Sequence, residues 1–92
     1  MTTEPERRYR IEFAKPAVKQ FQDLPRDAQE RIAPHINALA ETPRPRGVKK
    51  LKGQDDQYRI RVGDYRVIYT IQDERLIVLV IRIADRKDAY RP

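Results

Sequence analysis

The stretch YRIRVGDYRVIY at positions 58–69 decides the fold, because it predicts a β-hairpin. Tyr58, Ile60 and Val62 alternate with two arginines, which is typical of a strand with one buried face. After Gly63-Asp64 the chain is rich in β-branched and aromatic residues, which favour a second strand. We therefore expect two antiparallel strands, about 57–62 and 65–71, joined by a tight turn.

A two-residue loop would fix the register of this hairpin. The expected pairs are Val62 with Tyr65, Arg61 with Arg66, and Ile60 with Val67. Arg59, Arg61 and Arg66 then lie on one face, although like charges that face each other destabilise a sheet. The three arginines therefore indicate a surface that binds a polyanion. An ordinary solvated face remains the alternative.

The residues before the hairpin predict one strand and two helices. Tyr9, Ile11 and Phe13 alternate with charged residues, as in a short strand. Apolar residues at three-residue spacing predict a helix over about 15–24, with Pro16 in its first turn. A second apolar stripe predicts another helix and includes Ile32, Ile36, Leu39 and Ala40.

The second helix carries three further expectations. Asp27 and Glu30 fit a variant of the capping box at its start. Pro34 lies within the apolar pattern and should kink the helix, because it removes a backbone hydrogen bond. His35 should lie away from the arginines and is interpreted as structural or solvated.

The last predicted strand begins with the apolar run 76–81 and continues through Ile83 and Ala84. The run does not alternate, which is expected of a strand buried on both faces. We predict an α+β fold in one domain, 1–92: an N-terminal strand, a helical hairpin, then a three-stranded antiparallel meander, with one sheet packed on two helices. The first strand should join a sheet edge or neighbour the last strand.

Composition limits the classes of function. The net charge is +6, and positions 44–66 contribute eight basic against three acidic residues, which favours an acidic partner such as nucleic acid, an acidic protein segment or an anionic membrane. No cysteine and one histidine argue against a thiolate nucleophile and against cysteine or polyhistidine metal sites, so we expect no metal or cofactor. The longest apolar run is too short to span a bilayer, and no secretory signal is evident, so we expect a soluble cytoplasmic protein.

The C-terminal tail supplies a candidate for proton transfer. If it folds back over the open sheet face, Arg86 and Tyr90 join the three arginines, and the positive charge would stabilise a phenolate on Tyr90. Tyr90 could equally serve only to anchor the tail. The adjacent acids Asp55-Asp56 and Asp73-Glu74 are interpreted as turn residues.

Five short motifs, in this order, resemble the RelE branch of the RelE/ParE toxin superfamily. They are Lys50-Leu51-Lys52-Gly53, Tyr58-Arg59-Ile60-Arg61, Tyr65-Arg66-Val67-Ile68-Tyr69, Asp73-Glu74 and Arg86 to Tyr90. Each is weak alone, but their order and spacing are specific, and the resemblance covers nearly the whole chain. It implies the RelE-like microbial RNase fold.

The resemblance also implies a function. It is that of a type II toxin, an endoribonuclease that cleaves mRNA in the ribosomal A site by metal-free attack of a 2′-hydroxyl, and that a RelB-like antitoxin neutralises. By position, Arg59 and Arg61 would contact RNA and support the base, and Arg66 would bind the scissile phosphate. Arg86 would help the leaving oxygen or stabilise charge in the transition state, and Tyr90 would be the general base. The basic residues ahead of the hairpin are RNA-binding candidates: Arg44, Arg46, Lys49, Lys50 and Lys52.

Two departures from the family pattern bear on these roles. The family has lysines where this chain has Arg59 and Arg61, and arginine does not readily lose a proton. Many relatives have histidine at the position of Asp85, which here could orient Arg86 or accept a proton. Two alternatives stay open: a ParE-like inhibitor of DNA gyrase that does not cleave RNA, and an inactive basic binding module.

Overall fold

The sheet has five strands and is covered on one face by two helices in this computed structural model, which describes residues 8–51, 53 and 57–85. The elements are β1 (Arg10–Phe13), α1 (Lys15–Gln22), α2 (Arg26–Ala38), β2 (Lys49–Lys50), β3 (Gln57–Val62), β4 (Tyr65–Gln72) and β5 (Ile77–Asp85). The strand order is β1-β5-β4-β3-β2. Only the β1–β5 pair is parallel. The predicted α+β fold, with its meander, is confirmed.

β1 fulfils both expectations for the first strand, because it is an edge strand and it neighbours β5. It ends before β5 does, so no described strand pairs with the edge of β5 near its C-terminal end. The side chain of Gln20 on α1 accepts a hydrogen bond there from the backbone N–H of Ile83 (2.7 Å). This contact satisfies a strand donor and ties α1 to the sheet.

The core lies between the helices and one sheet face. Ile32 and Ile36 of α2 are 0% and 1% exposed, and Val67 and Val80 of the sheet are each 0% exposed. The two helices are also tied to each other, because the amide of Gln29 donates to the backbone carbonyls of Phe21 (2.9 Å) and Leu24 (3.2 Å) at the end of α1. The carbonyl of Phe21 also accepts a hydrogen bond from the backbone N–H of Leu24 (3.1 Å), which lies between the two helices.

α2 runs through Pro34, as predicted, but it has no capping box. The helix begins at Arg26, its N-cap is Pro25, and no side chain caps it. Asp27 therefore lies inside the first turn, and Glu30 instead forms an ion pair with Arg26 one turn away (3.6 Å).

The expectation that β5 is buried on both faces is only partly correct. Val78 and Val80 are fully buried on the helix side, but Leu79 and Ile81 are half-buried. The register against β4 shifts between Ile68 and Tyr69, and Ile81 is left without a partner in the ladder. The strand β2 was not predicted, because two lysines carry no strand pattern.

Candidate functional site

The predicted register of the hairpin is confirmed. Arg61 pairs with Arg66, and the two flanking pairs are those expected from a two-residue loop. Ile60 and Val62 are buried against the helices, and side chains alternate between the two faces of a strand. Arg59, Arg61 and Arg66 therefore lie on the opposite face, which no described helix covers and which we call the arginine face.

The short strand β2 extends the arginine face. Lys49 pairs with Arg59 and so lies on the same side, whereas Lys50 pairs with Tyr58 and lies on the other. Gly47, Lys49, Arg59 and Arg61 line a depression of about 270 Å³. A concave surface lined by one sign of charge concentrates anions.

A larger groove lies between the C-terminal part of α2 and β3. It measures about 390 Å³, and its walls include His35, Arg46, Ile60 and Arg61. His35 lies on α2, on the helix side of the sheet and away from the arginine face as expected, but it shares this groove with Arg61. The α2–β3 packing that causes this is not visible in the helical pattern alone.

Arg44 is held by other side chains of the protein. Its guanidinium donates two hydrogen bonds to the carboxylate of Asp73, at 3.2 and 2.9 Å, and lies 5.2 Å from the centre of the Tyr58 ring. The hydroxyl of Tyr9 also donates to Asp73 (2.6 Å). The contact with Arg44, and then that with Tyr9, lowers the pKa of Asp73 to about 2.

The contacts of Arg44, Asp73 and Tyr58 form a cluster that Tyr69 extends toward the core. Tyr58 stacks on Tyr69, with 6.1 Å between ring centroids, and the Tyr69 hydroxyl donates to the carbonyl of Pro43 (2.8 Å). Burial raises the pKa of Tyr69. The cluster anchors the loop before β2 to the β4–β5 turn, so Arg44 has a structural role here, and RNA binding by it stays a prediction. Asp73 lies in a turn, as interpreted from the sequence.

Asp85 does not lie on the arginine face. It pairs with Tyr65, whereas its neighbour Ala84 pairs with Arg66. Alternation therefore places Asp85 on the side of the helices, which argues against a direct exchange of protons at the arginines. Lys52, Arg86 and Tyr90 lie outside the described residues.

Arg82 is a basic residue of the arginine face that the sequence reasoning missed. It pairs with Ile68 of β4, and Ile68 pairs in turn with Arg59 of β3. The signal in the sequence is a charge that interrupts an otherwise apolar strand between Ile81 and Ile83. Its face could not be assigned without the irregularity at Ile81.

Two absences hold for the described residues only. No three His, Cys, Asp or Glu side chains among them come close enough to hold a metal ion. No helix in the same part of the chain is long and apolar enough to cross a bilayer.

Comparisons with known proteins identify the family. Residues 11–90 match the model of the ParE toxin of the type II toxin–antitoxin system parDE. The mRNA interferase toxin RelE of Escherichia coli K12 is 30% identical over 81 residues, which cover 86% of this chain and 84% of the relative. Toxin RelE3 of Methanocaldococcus jannaschii is 32% identical over 85 residues, or 88% and 94% of the two chains.

Solved structures agree with these relatives. The archaeal RelE–RelB complex from Pyrococcus horikoshii matches with a TM-score of 0.75 and 35% identity, covering 85% of this chain and 94% of that one. The E. coli RelBE toxin–antitoxin complex also has a TM-score of 0.75, at 29% identity, and covers 84% and 95% of the two chains. Fold, motif order and sequence similarity agree, and the chain belongs to the RelE/ParE family of type II toxins, as a RelE-like member.

Proposed function

We propose that this protein is a ribosome-dependent endoribonuclease, the toxin of a type II toxin–antitoxin system, that cleaves mRNA in the A site. The observation that carries the proposal is that Arg59, Arg61 and Arg66 lie together on the sheet face that no described helix covers. The similarity to an E. coli protein named mRNA interferase toxin RelE supports it.

The proposed reaction depends mainly on stabilising the negative charge that develops on the phosphate. The 2′-hydroxyl oxygen attacks the adjacent phosphorus, the bond to the 5′-oxygen breaks, and the products are a 2′,3′-cyclic phosphate and a 5′-hydroxyl. Negative charge develops on the phosphate oxygens in the transition state, and guanidinium groups stabilise it through bidentate, charge-assisted hydrogen bonds. Arg66, with Arg61 opposite it, is proposed to hold the scissile phosphate.

The general base and the stabilisation of the leaving group are assigned to the tail. In the proposal, Tyr90 accepts the proton of the 2′-hydroxyl, and Arg86 stabilises the negative charge on the leaving 5′-oxygen, which takes its proton from water. These roles rest on the family resemblance of the Arg86 to Tyr90 motif. The position of Asp85 on the other face makes it the weaker candidate for the base.

The proposed partner is a RelB-like antitoxin. Two of the structural relatives are complexes of RelE with RelB. The net charge of +6 favours a partner segment that is acidic or amphipathic. Such a segment would neutralise the toxin by covering the arginine face or by displacing the tail.

A ParE-like inhibitor of DNA gyrase is the second candidate, because the matching family model describes ParE toxins. The discriminating experiment is brief expression in cells, followed by mapping of new mRNA 5′ ends within translated codons. Cleavage predicts such ends. Their absence, together with DNA breaks trapped by gyrase, would sink the nuclease proposal.

Variants make this experiment specific to the site. We expect Arg66→Ala to reduce cleavage by about 10²–10³-fold, the usual cost of removing one group that stabilises an oxyanion, and Tyr90→Phe to reduce it strongly as well. Arg75→Ala, an exposed arginine on the β4–β5 turn, is the matched control and should cleave normally. Normal cleavage by Tyr90→Phe would remove the tyrosine from the mechanism.

A further inference from the structure

The arginine face contains two parallel rows of side chains that run across the strands. The first, the Arg82 row, consists of Arg82, Ile68, Arg59 and Lys49, which are successive partners on β5, β4, β3 and β2. The second, the Arg66 row, consists of Ala84, Arg66 and Arg61. Residues two apart on a strand share a face, so the rows lie side by side.

The rows are spaced like phosphates of a polynucleotide. Two residues along an antiparallel strand span roughly 6.8 Å, and neighbouring strands are roughly 4.8 Å apart. The first distance is close to the separation of successive phosphates in an extended RNA strand. Within the Arg82 row, two long basic side chains flank the half-buried Ile68, which offers an apolar surface to a ribose or base.

The charge of the Arg82 row is not neutralised by the described part of the protein. Arg82 is exposed and forms no hydrogen bond or ion pair with any described residue. Arg10 lies on the same sheet face at its far end, and there an acid is present: its Nε is 3.5 Å from a carboxylate oxygen of Glu12. Arg10 is therefore paired with an acid on this face, whereas Arg82 is not paired with any acid among the described residues.

We propose that Arg82, with Arg59 and Lys49, forms a second phosphate subsite, which binds the phosphate adjacent to the scissile one. The inference rests on the proposed function, since the scissile phosphate is assigned to the Arg66 row. The substrate backbone then runs along the strands, from one row to the next. RNA is favoured over an acidic peptide because the Arg82 row continues the surface proposed to hold the scissile phosphate, and because Ile68 offers an apolar contact to a ribose or base.

Binding measured separately from cleavage tests this inference. The probe is a fluorescent single-stranded RNA pentamer with one 2′-deoxynucleotide, which blocks attack at that position. Its dissociation constant is measured against the full-length protein over a salt series. Each phosphate contact on a single strand contributes about 0.7 to the slope of log K against log salt. Arg82→Ala and Arg82→Gln should each reduce the magnitude of that slope by about 0.7. Arg10→Ala should leave the slope unchanged.

A neutral methylphosphonate, placed in turn at the phosphate before and the phosphate after the scissile one, locates the contact. At one of these two positions the methylphosphonate should weaken binding of the RNA to the wild-type protein. At the same position it should not weaken binding to Arg82→Ala any further. The subsite would be overturned if the salt slope is unchanged in both Arg82 variants. It would also be overturned if these variants lose affinity for poly-glutamate as much as they lose affinity for RNA. Circular dichroism checks that both variants are folded.

The same variants separate this inference from the proposed function. If ribosomal mRNA is cleaved while the slope is unchanged, the subsite is wrong and the nuclease proposal stands. If no mRNA is cleaved but the slope falls as expected, the subsite is supported as an RNA contact and the nuclease proposal fails. Failure of the wild-type protein to bind the pentamer would overturn the subsite.

Discussion

Asp73 shows how a single carboxylate can connect distant parts of the chain. It accepts hydrogen bonds from Arg44, 29 positions earlier, and from Tyr9, 64 positions earlier. Both donors favour the ionised carboxylate, so the pKa of Asp73 falls from its ordinary value of 3.8 to about 2. Folding is therefore favoured by ionisation of this group.

The pH dependence of stability follows from that shift. The contribution of Asp73 is complete above its ordinary pKa near 4 and is lost as the pH falls through about 2. Asp73→Asn should lower the urea midpoint at pH 7, and the difference from wild type should shrink between about pH 4 and pH 2. Equal losses at pH 7 and pH 2 would contradict this explanation. Glu74→Gln, on the same turn, is the control and should change the midpoint little.

At the scale of the secondary-structure element, the hairpin turn at Gly63-Asp64 determines which arginines face each other. Gly63 has a φ of +59°, and Asp64 is not among the described residues with positive φ. A positive φ only at the first loop residue is typical of a type II′ turn, in which glycine is preferred at that position. This turn fixes the register that sets Arg61 opposite Arg66.

Gly63→Ala should therefore cost about 1–2 kcal/mol of unfolding free energy, because residues with a Cβ are strained at positive φ. An added Cβ would also lie 3.2 Å from Nη1 of Arg31, but that is the end of a flexible side chain. The measurement is urea unfolding of Gly63→Ala in the wild-type and Arg31→Ala backgrounds. If Arg31→Ala rescues the variant, the cost comes from the contact and not from the backbone.

The elements differ in how much of them the sequence could predict. The β3–β4 register was predictable, because a two-residue loop and alternating residues leave one arrangement that buries Ile60. The β4–β5 register was not, since Ile81 adds a residue within an apolar run that gives no alternation to count. The partners of Arg44 were also out of reach, because such contacts depend on how the loops pack together.

In the whole molecule, the residues that stabilise the fold and the residues proposed to bind RNA lie on opposite faces of one sheet. The helices and core residues lie on one side, and the proposed RNA site lies on the other. Adjacent residues of β3 belong to different sides: Ile60 is 8% exposed and packs in the core, whereas Arg61 is exposed. Arg61 forms no ion pair with a described residue and faces a like charge on Arg66.

Substitution of Ile60 and of Arg61 should therefore affect different properties: stability for Ile60 and RNA binding for Arg61. Ile60→Ala leaves a cavity and should cost about 2–5 kcal/mol of unfolding free energy. Arg61→Ala relieves repulsion, so stability should stay within about 0.5 kcal/mol of wild type or rise, while binding of single-stranded RNA weakens. Urea unfolding and fluorescence anisotropy measure the two effects on the same samples. A loss of stability in Arg61→Ala as large as that in Ile60→Ala would mean that the arginine face is part of the folding core and not a surface reserved for RNA.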